Sequence, residues 1–157
     1  MSYWIEVTSG LRWDRLLKEK NIRLDAPNTT RYQGFFKKVK AGDLVFHYLT
    51  SSLTRPKEKR SKVVAVSTVA SNPAVVGKRI VANCVGTVMF PKTISCSELS
   101  KINPKSKNLR KLLKVNMQRY LTPITQLDFD SILGLYPENK KKFFRLRASL
   151  LKPVNNG

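Results

Sequence analysis

The sequence predicts an α+β fold built on a twisted, barrel-like and mostly antiparallel sheet with flanking helices. Three observations carry this. Strand-like apolar segments cluster between residues 44 and 90, and helix-like segments lie on either side. No regular strand–helix–strand alternation runs along the chain, as a doubly wound parallel sheet would require. The length of 157 residues with 41% hydrophobic content suits one domain with a substantial core.

Val39-Lys40-Ala41-Gly42-Asp43-Leu44-Val45-Phe46-His47-Tyr48 sets the register for the rest. Gly42 can take a positive φ at no steric cost, which a sharp turn into a strand needs. Leu44, Val45 and Phe46 are strand formers and place that strand in the core.

Tyr3 to Thr8 reads as a first strand, and its poor alternation suits a strand covered on both faces. Leu11 to Lys20 reads as a helix with Trp13, Leu16 and Leu17 on one face and Ser9 as its cap. Residues 21–28 show no period, and Pro27 disfavours helix at Ala26. A short helix is predicted over Arg31 to Lys38, with Tyr32, Phe35 and Phe36 as its apolar face. Ser51 to Lys62 reads as a solvated basic loop, Val63 to Ala70 as a strand, and Ile80 to Phe90 as a long strand ended by Pro91. A short turn or helix opens at Ser97. A last short strand is read over Val115 to Leu121. Thr125 and Asp128 form a loose capping box for a helix carrying Leu127, Phe129, Ile132 and Leu133. Asn139 to Lys152 reads as a basic amphipathic helix with Phe143, Leu146 and Leu150 on one side.

Charge is the strongest functional signal. Thirty Lys and Arg against ten Asp and Glu give a formal net charge of +20. Such a field attracts polyanions and raises their encounter rate, so nucleic acid is the expected partner. The basic clusters lie at 55–62, 105–114 and 140–152. No apolar run reaches the roughly 20 residues of a membrane span. The opening residues lack the pattern of a secretory signal, and Cys84 and Cys96 read as small hydrophobes; a cytoplasmic setting is expected.

Catalytic patterns are scarce. There is one histidine, His47, and no metal-ligand spacing. The carboxylates are scattered, and no phosphate loop, dinucleotide fingerprint or nucleophile elbow occurs. The expectation is a binding module with no catalytic residues, metal or cofactor. A nuclease or modification enzyme assembled from distant residues is the weaker alternative.

The element order and several local words resemble the EVE domain of the PUA-like superfamily, kin to YTH and ASCH domains. Tyr3-Trp4-Ile5 resembles the family's opening strand, and Thr8-Ser9 the position after it, where Ser or Asn is usual. Val39 to Tyr48 is similar to its K-x-G-D-L-V-F-x-Y strand. Val63 to Asn72 resembles the next strand, with Ala65 in place of a glycine and Thr68 near an acidic position. Arg119 to Ile132 resembles the closing R-x-S-V-x-P-I-T-x-E segment, with Thr122 for serine and Asp128 for glutamate. Asn21-Ile22-Arg23-Leu24-Asp25 stands where bacterial members carry W-x-G-V-R-N.

The resemblance implies a PUA-like barrel over residues 1–135; the basic C-terminal helix and tail over 136–157 lie beyond it. The resemblance also implies a pocket for a modified, methylated base. A nuclease or restriction partner acting in trans is implied too, since such domains serve modification-dependent restriction systems. The first reading is a non-enzymatic reader of a modified base in DNA; the second is a PUA-type module acting on tRNA, rRNA or methylated RNA.

A base pocket needs flat π surfaces and a few polar groups for the base edge. Trp13, Tyr32, Tyr48 and Tyr120 are the candidate stacking residues, each with a core role as its alternative. At least two of Trp13, Tyr32 and Tyr48 are expected in one cavity. Thr8, Ser9 and Asn28 are the candidate base-edge contacts, with turn and cap chemistry as theirs. Arg31, Arg55, Lys57, Lys59, Arg60, Lys62, Lys107, Arg110 and Arg119 are the candidate contacts to the nucleic-acid backbone.

Overall fold

The computed structural model describes residues 1–50, 61–115, 117 and 119–151, with 150 and 151 described by their backbone alone. The elements in order are β1 (Tyr3–Thr8), α1 (Gly10–Lys18), β2 (Arg23–Pro27), α2 (Thr30–Phe36) and β3 (Leu44–Leu49). Next come β4 (Lys62–Val69), β5 (Ala74–Val76), β6 (Arg79–Ser95), α3 (Cys96–Lys101) and α4 (Lys107–Lys114). The described chain ends with β7 (Leu121–Ile124), α5 (Gln126–Leu133) and α6 (Pro137–Leu151).

Among the described residues one sheet of seven strands runs in the order β2-β6-β4-β3-β1-β7, with β5 beside β6. All pairings are antiparallel except β1 with β3. The sheet is strongly curled, because its two ends come together: the Asp25 amide on β2 donates to the Tyr120 hydroxyl just before β7, at 2.9 Å. The result is a half-barrel with helices packed around it.

The Gly-Asp turn fastens this sheet. Gly42 has φ 93, where a side chain would be strained. The buried Asp43 carboxylate accepts from the Ser2 and Lys40 amides and from the Trp4 indole at 2.8–3.0 Å. The Asp43 carbonyl accepts from the Val69 amide, so the turn also locks the end of β4.

Strand alternation sorts the side chains into two layers. Ile5, Val7, Phe46, Val66 and Phe90 face outward and are covered by Leu99, Leu109, Leu112, Phe129, Ile132 and Phe143 from the helices. The inner face holds two apolar clusters. Trp4, Leu24, Val45 and Ile80 form one with Phe36; Trp13, Leu16, Leu49 and Val64 form the other. Among the described residues no helix is long and apolar enough to cross a membrane.

Four local readings are corrected. The patternless stretch 21–28 contains β2. It pairs with β6 at the sheet edge, where Pro27 costs no ladder bond on the inner side. Pro91 does not end β6. The register jumps from Met89 opposite Ala65 to Ile94 opposite Val63, and this bulge absorbs the proline. Asn139, fully buried at the start of α6, caps the bulge by donating to the Lys92 carbonyl (2.7 Å) and accepting from its amide (3.0 Å). The last strand lies at Leu121–Ile124 rather than 115–121, because Met117 at φ 59 turns the chain first. Asp128 does not close a capping box on Thr125. Its carboxylate instead accepts from the Lys105 and Ser106 amides. Thr125 does cap α5, accepting from the Asp128 amide, and Ser9 likewise caps α1.

Helix α6 packs against the outer layer through Phe143, whose ring meets Phe129 edge-on, with Leu146 half-buried beside it.

Candidate nucleic-acid interface

The curl of the sheet creates the site. Where β1 runs into α1, and where β2 approaches Tyr120, a cleft of about 230 Å³ opens. Its walls include Thr8, Ser9, Arg12, Asp25, Tyr32, Arg79 and Tyr120, with Val7, Ala26 and Pro27 supplying apolar surface.

Behind the cleft, sealed between the two inner apolar clusters, lies a chain of polar groups. Glu6 has no solvent exposure, and the parallel register sets it opposite His47. Its Oε1 is 2.9 Å from His47 Nδ1, and its Oε2 accepts from Tyr120 (2.8 Å) and Arg12 (3.3 Å). Arg12 also donates to the Thr8 hydroxyl and the Arg23 carbonyl, both at 3.0 Å. Burial alone would push the Glu6 carboxyl up, but His47, Arg12 and Tyr120 together hold it below the ordinary value. Burial works against the Arg12 charge too, and Glu6 outweighs it, so the guanidinium is held more firmly protonated than usual. Burial and the Glu6 charge push the Tyr120 phenol well up, so it stays neutral and donates.

The outer rim is a second ion cluster. Asp25 accepts from Arg23 Nε at 3.1 Å and from Arg79 Nε. Burial raises the Asp25 carboxyl, and the two guanidinium groups overcome this and lower it. Three guanidinium groups thus surround two carboxylates, and the cleft presents fixed donors on a positive background. Tyr120 and Tyr32 form the aromatic wall, their rings 6.0 Å apart edge-on, with Phe36 behind Tyr120 at 6.0 Å. Arg31 lies 5.5 Å over the Tyr32 ring on the solvent side.

His47 Nε2 also lies 2.7 Å from the Ser67 hydroxyl, which gives a serine–histidine–glutamate line. Ser67 is 1% exposed and shares its hydroxyl with Thr87 at 2.7 Å. A nucleophile needs substrate access and an oxyanion site; this line is enclosed, and it anchors Glu6. Among the described residues no cluster of three His, Cys, Asp or Glu could hold a metal ion.

The structure brings together Thr8, Ser9, Tyr32 and Tyr120 from the residues singled out in the sequence. Trp13 and Tyr48 do not join them, which corrects the expectation that two of Trp13, Tyr32 and Tyr48 share a cavity. Trp13 is 2% exposed and its ring lies tilted 4.7 Å from that of His47, deep in the inner layer. Tyr48 is 3% exposed and shares the outer face with Leu44 and Phe46, because strand alternation turns it away from the cleft. Burial and Cys96 push its hydroxyl up to about 12. Asn28 accepts from Gln33 and lines a neighbouring groove with Phe36 and Val75.

Of the backbone candidates, Arg31 and Arg119 flank the aromatic wall in sequence and are exposed. Lys62 is half-buried on β4. Lys107 and Arg110 are exposed on α4, whose apolar face belongs to the outer layer rather than to the cleft. Arg55, Lys57, Lys59 and Arg60 lie outside the described residues. Arg12, Asp25, Arg79 and Glu6 were missed. Glu6 was detectable: an acid between Ile5 and Val7 in a doubly covered strand demands buried partners.

The model of the EVE domain matches residues 2–135. The chain belongs to the EVE domain family. No curated protein matches it. Solved structures share the fold at low sequence identity. A hypothetical protein from Leishmania major aligns with TM-score 0.62 and 16% identity, covering 90% of this chain and 96% of that one. Human THYN1, solved in complex with DNA containing 5-methylcytosine, aligns with TM-score 0.61 and 14% identity, covering 86% and 97%. A protein from Agrobacterium tumefaciens aligns with TM-score 0.60 and 15% identity, covering 84% and 90%. At these identities the likeness establishes the fold of this EVE domain, a curled half-barrel with flanking helices.

Proposed function

We propose that this EVE domain is a non-enzymatic reader of a methylated base in DNA, taking the base out of the stack into the cleft between β1, α1 and Tyr120. The observation that carries this is the cleft itself. It pairs an aromatic wall, Tyr32 and Tyr120, with fixed polar groups from Ser9, Arg12 and Asp25 in a space of about 230 Å³. That is below the size of pockets for drug-sized ligands and suits one planar ring. The human THYN1 complex supports the choice of DNA and of a methylated pyrimidine, since the shared fold there meets 5-methylcytosine DNA. Extruding a base costs a few kcal/mol, which stacking and edge contacts must offset. A reader needs no catalytic group, and the enclosed Ser67–His47–Glu6 line fits a scaffold role. A nuclease partner in trans would add cleavage to recognition.

The deciding experiment is titration against four matched oligonucleotides: DNA and RNA, each with cytosine or 5-methylcytosine at one position. The reading expects tightest binding to methylated DNA, with the preference abolished by Tyr32→Ala. A preference for RNA would replace DNA by the RNA-binding reading, and equal affinity for all four would remove base recognition.

A further inference from the structure

The short ribbon formed by β5 and the start of β6 stands beside the cleft, and apart from Arg79 it has no part in the reading above. Val75 and Val76 are 61% and 62% exposed, although they are strong strand formers with apolar side chains. Gly77, at φ 61, and Lys78 form its two-residue turn, which sets Val76 opposite Arg79. Arg79 is also the cross-strand partner of Pro27, and the Lys78 carbonyl accepts from the Asn28 amide at 2.8 Å. Pro27 and Arg79 are walls of the cleft. The tip of the ribbon is therefore tied to the cleft mouth. Lys78 and Arg79 place two cations there, and Lys37 adds a third across a groove of about 560 Å³ that separates the ribbon from α2.

We infer that this ribbon enters the major groove of duplex DNA next to the extruded base. Val76, on the Arg79 face of the ribbon, would lie against base edges, and Val75, on the opposite face beside the α2 groove, against the wall of the DNA groove, with Lys78 on a phosphate. The major groove of B-form DNA is about 12 Å wide and admits a two-stranded ribbon, and its thymine methyl groups offer apolar contacts. The major groove of A-form RNA is too deep and narrow for side chains to read. Charge at the tip and apolar side chains along the strand match that surface, phosphate outside and base edges within. The placement beside an extruded base rests on the proposed cleft function, whereas groove entry requires only a duplex.

The test uses the double variant Val75→Ser/Val76→Ser and the single variant Lys78→Gln, with folding checked by thermal melting. Each is titrated, beside the parent protein, with a plain DNA duplex, an RNA duplex of the same sequence, and single DNA strands carrying cytosine or 5-methylcytosine. The double variant should bind the DNA duplex about tenfold more weakly, roughly the loss of fewer than two buried methylene groups. It should bind the RNA duplex and the methylated single strand as the parent does. Lys78→Gln should reduce the slope of log K against log salt on the DNA duplex by about 0.9. Unchanged affinity of the double variant for the DNA duplex overturns the inference. So does an equal loss on the single strand, which would make the ribbon a wall of the cleft, or an equal loss on the RNA duplex. Failure of the cleft function reads differently: the parent protein would not distinguish methylated from plain single strands, while the ribbon effect on duplex DNA would persist.

Discussion

Glu6 and His47 face each other across the parallel β1–β3 pair, Oε1 2.9 Å from Nδ1, with neither side chain open to solvent. This contact fixes a carboxylate whose second oxygen serves both Arg12 and Tyr120 at the back of the cleft. Removing the charge should therefore leave Arg12 uncompensated in a largely buried place. Glu6→Gln is expected to cost about 3–5 kcal/mol of folding stability, read by denaturant unfolding. A loss below about 1 kcal/mol would mean that the network does not depend on the charge.

Tyr120→Phe isolates the hydroxyl. The ring and its contacts with Tyr32 and Phe36 remain, but the Asp25 amide and one Glu6 lone pair lose their partner. Leaving buried polar groups unmatched should cost about 1–3 kcal/mol, with the loss measured as a lower denaturant midpoint.

Tyr32 and Trp13 should behave in opposite ways. Tyr32 is half-buried on the cleft wall, so Tyr32→Ala should cost about 1–3 kcal/mol in binding a stacked base and little in stability. Trp13 is buried against His47, so Trp13→Ala should cost about 3–5 kcal/mol of stability. Melting and titration of both variants separate a ligand surface from a core.

Low pH should destabilise the fold through the two carboxylates of the cleft. Glu6 and Asp25 both titrate below their ordinary values of 4.5 and 3.8 when folded. Each therefore binds fewer protons folded than unfolded, so its contribution is complete above its ordinary value and vanishes as pH falls toward the folded one. Melting temperature should hold steady from neutral pH to about 5 and fall below it. Asp25→Asn together with Glu6→Gln should flatten that fall.

Binding should weaken steeply with salt. With about 5 phosphate contacts, log K on duplex DNA should fall against log salt with a slope near −4 to −5. A titration series at four salt concentrations measures it, and a flat line would remove the nucleic-acid backbone from the interface.

The sequence revealed the fold more fully than the site, for identifiable reasons. Leu44 to Tyr48 and the caps Ser9 and Thr125 are local signals, and each stands where local chemistry put it. β2 was hidden because an edge strand of five residues with a proline has weak propensity and gains its stability from β6. With β2 hidden, Asp25 and its partners Arg23 and Arg79 could not be assembled. Tyr48 was misplaced for a different reason: an aromatic at the end of a strand gives no clue to which face it takes until the register is known. Thr8, Ser9, Tyr32 and Tyr120 converge because the sheet curls, a property of the whole pairing pattern rather than of any segment.

The position of β1 also bears on how the chain is made. Tyr3 pairs with Leu44 on one side and with Ile124 on the other. As the chain leaves the ribosome, the first strand can dock on β3 once about fifty residues are out. Its other flank then waits for β7, at speeds of about 5–20 residues per second. During that wait the protein carries a bare, apolar strand edge of the kind that recruits strangers. The long-range closure that shapes the cleft is thus also the slowest contact to form, and nascent chains stalled before Leu121 should depend on chaperones to stay soluble.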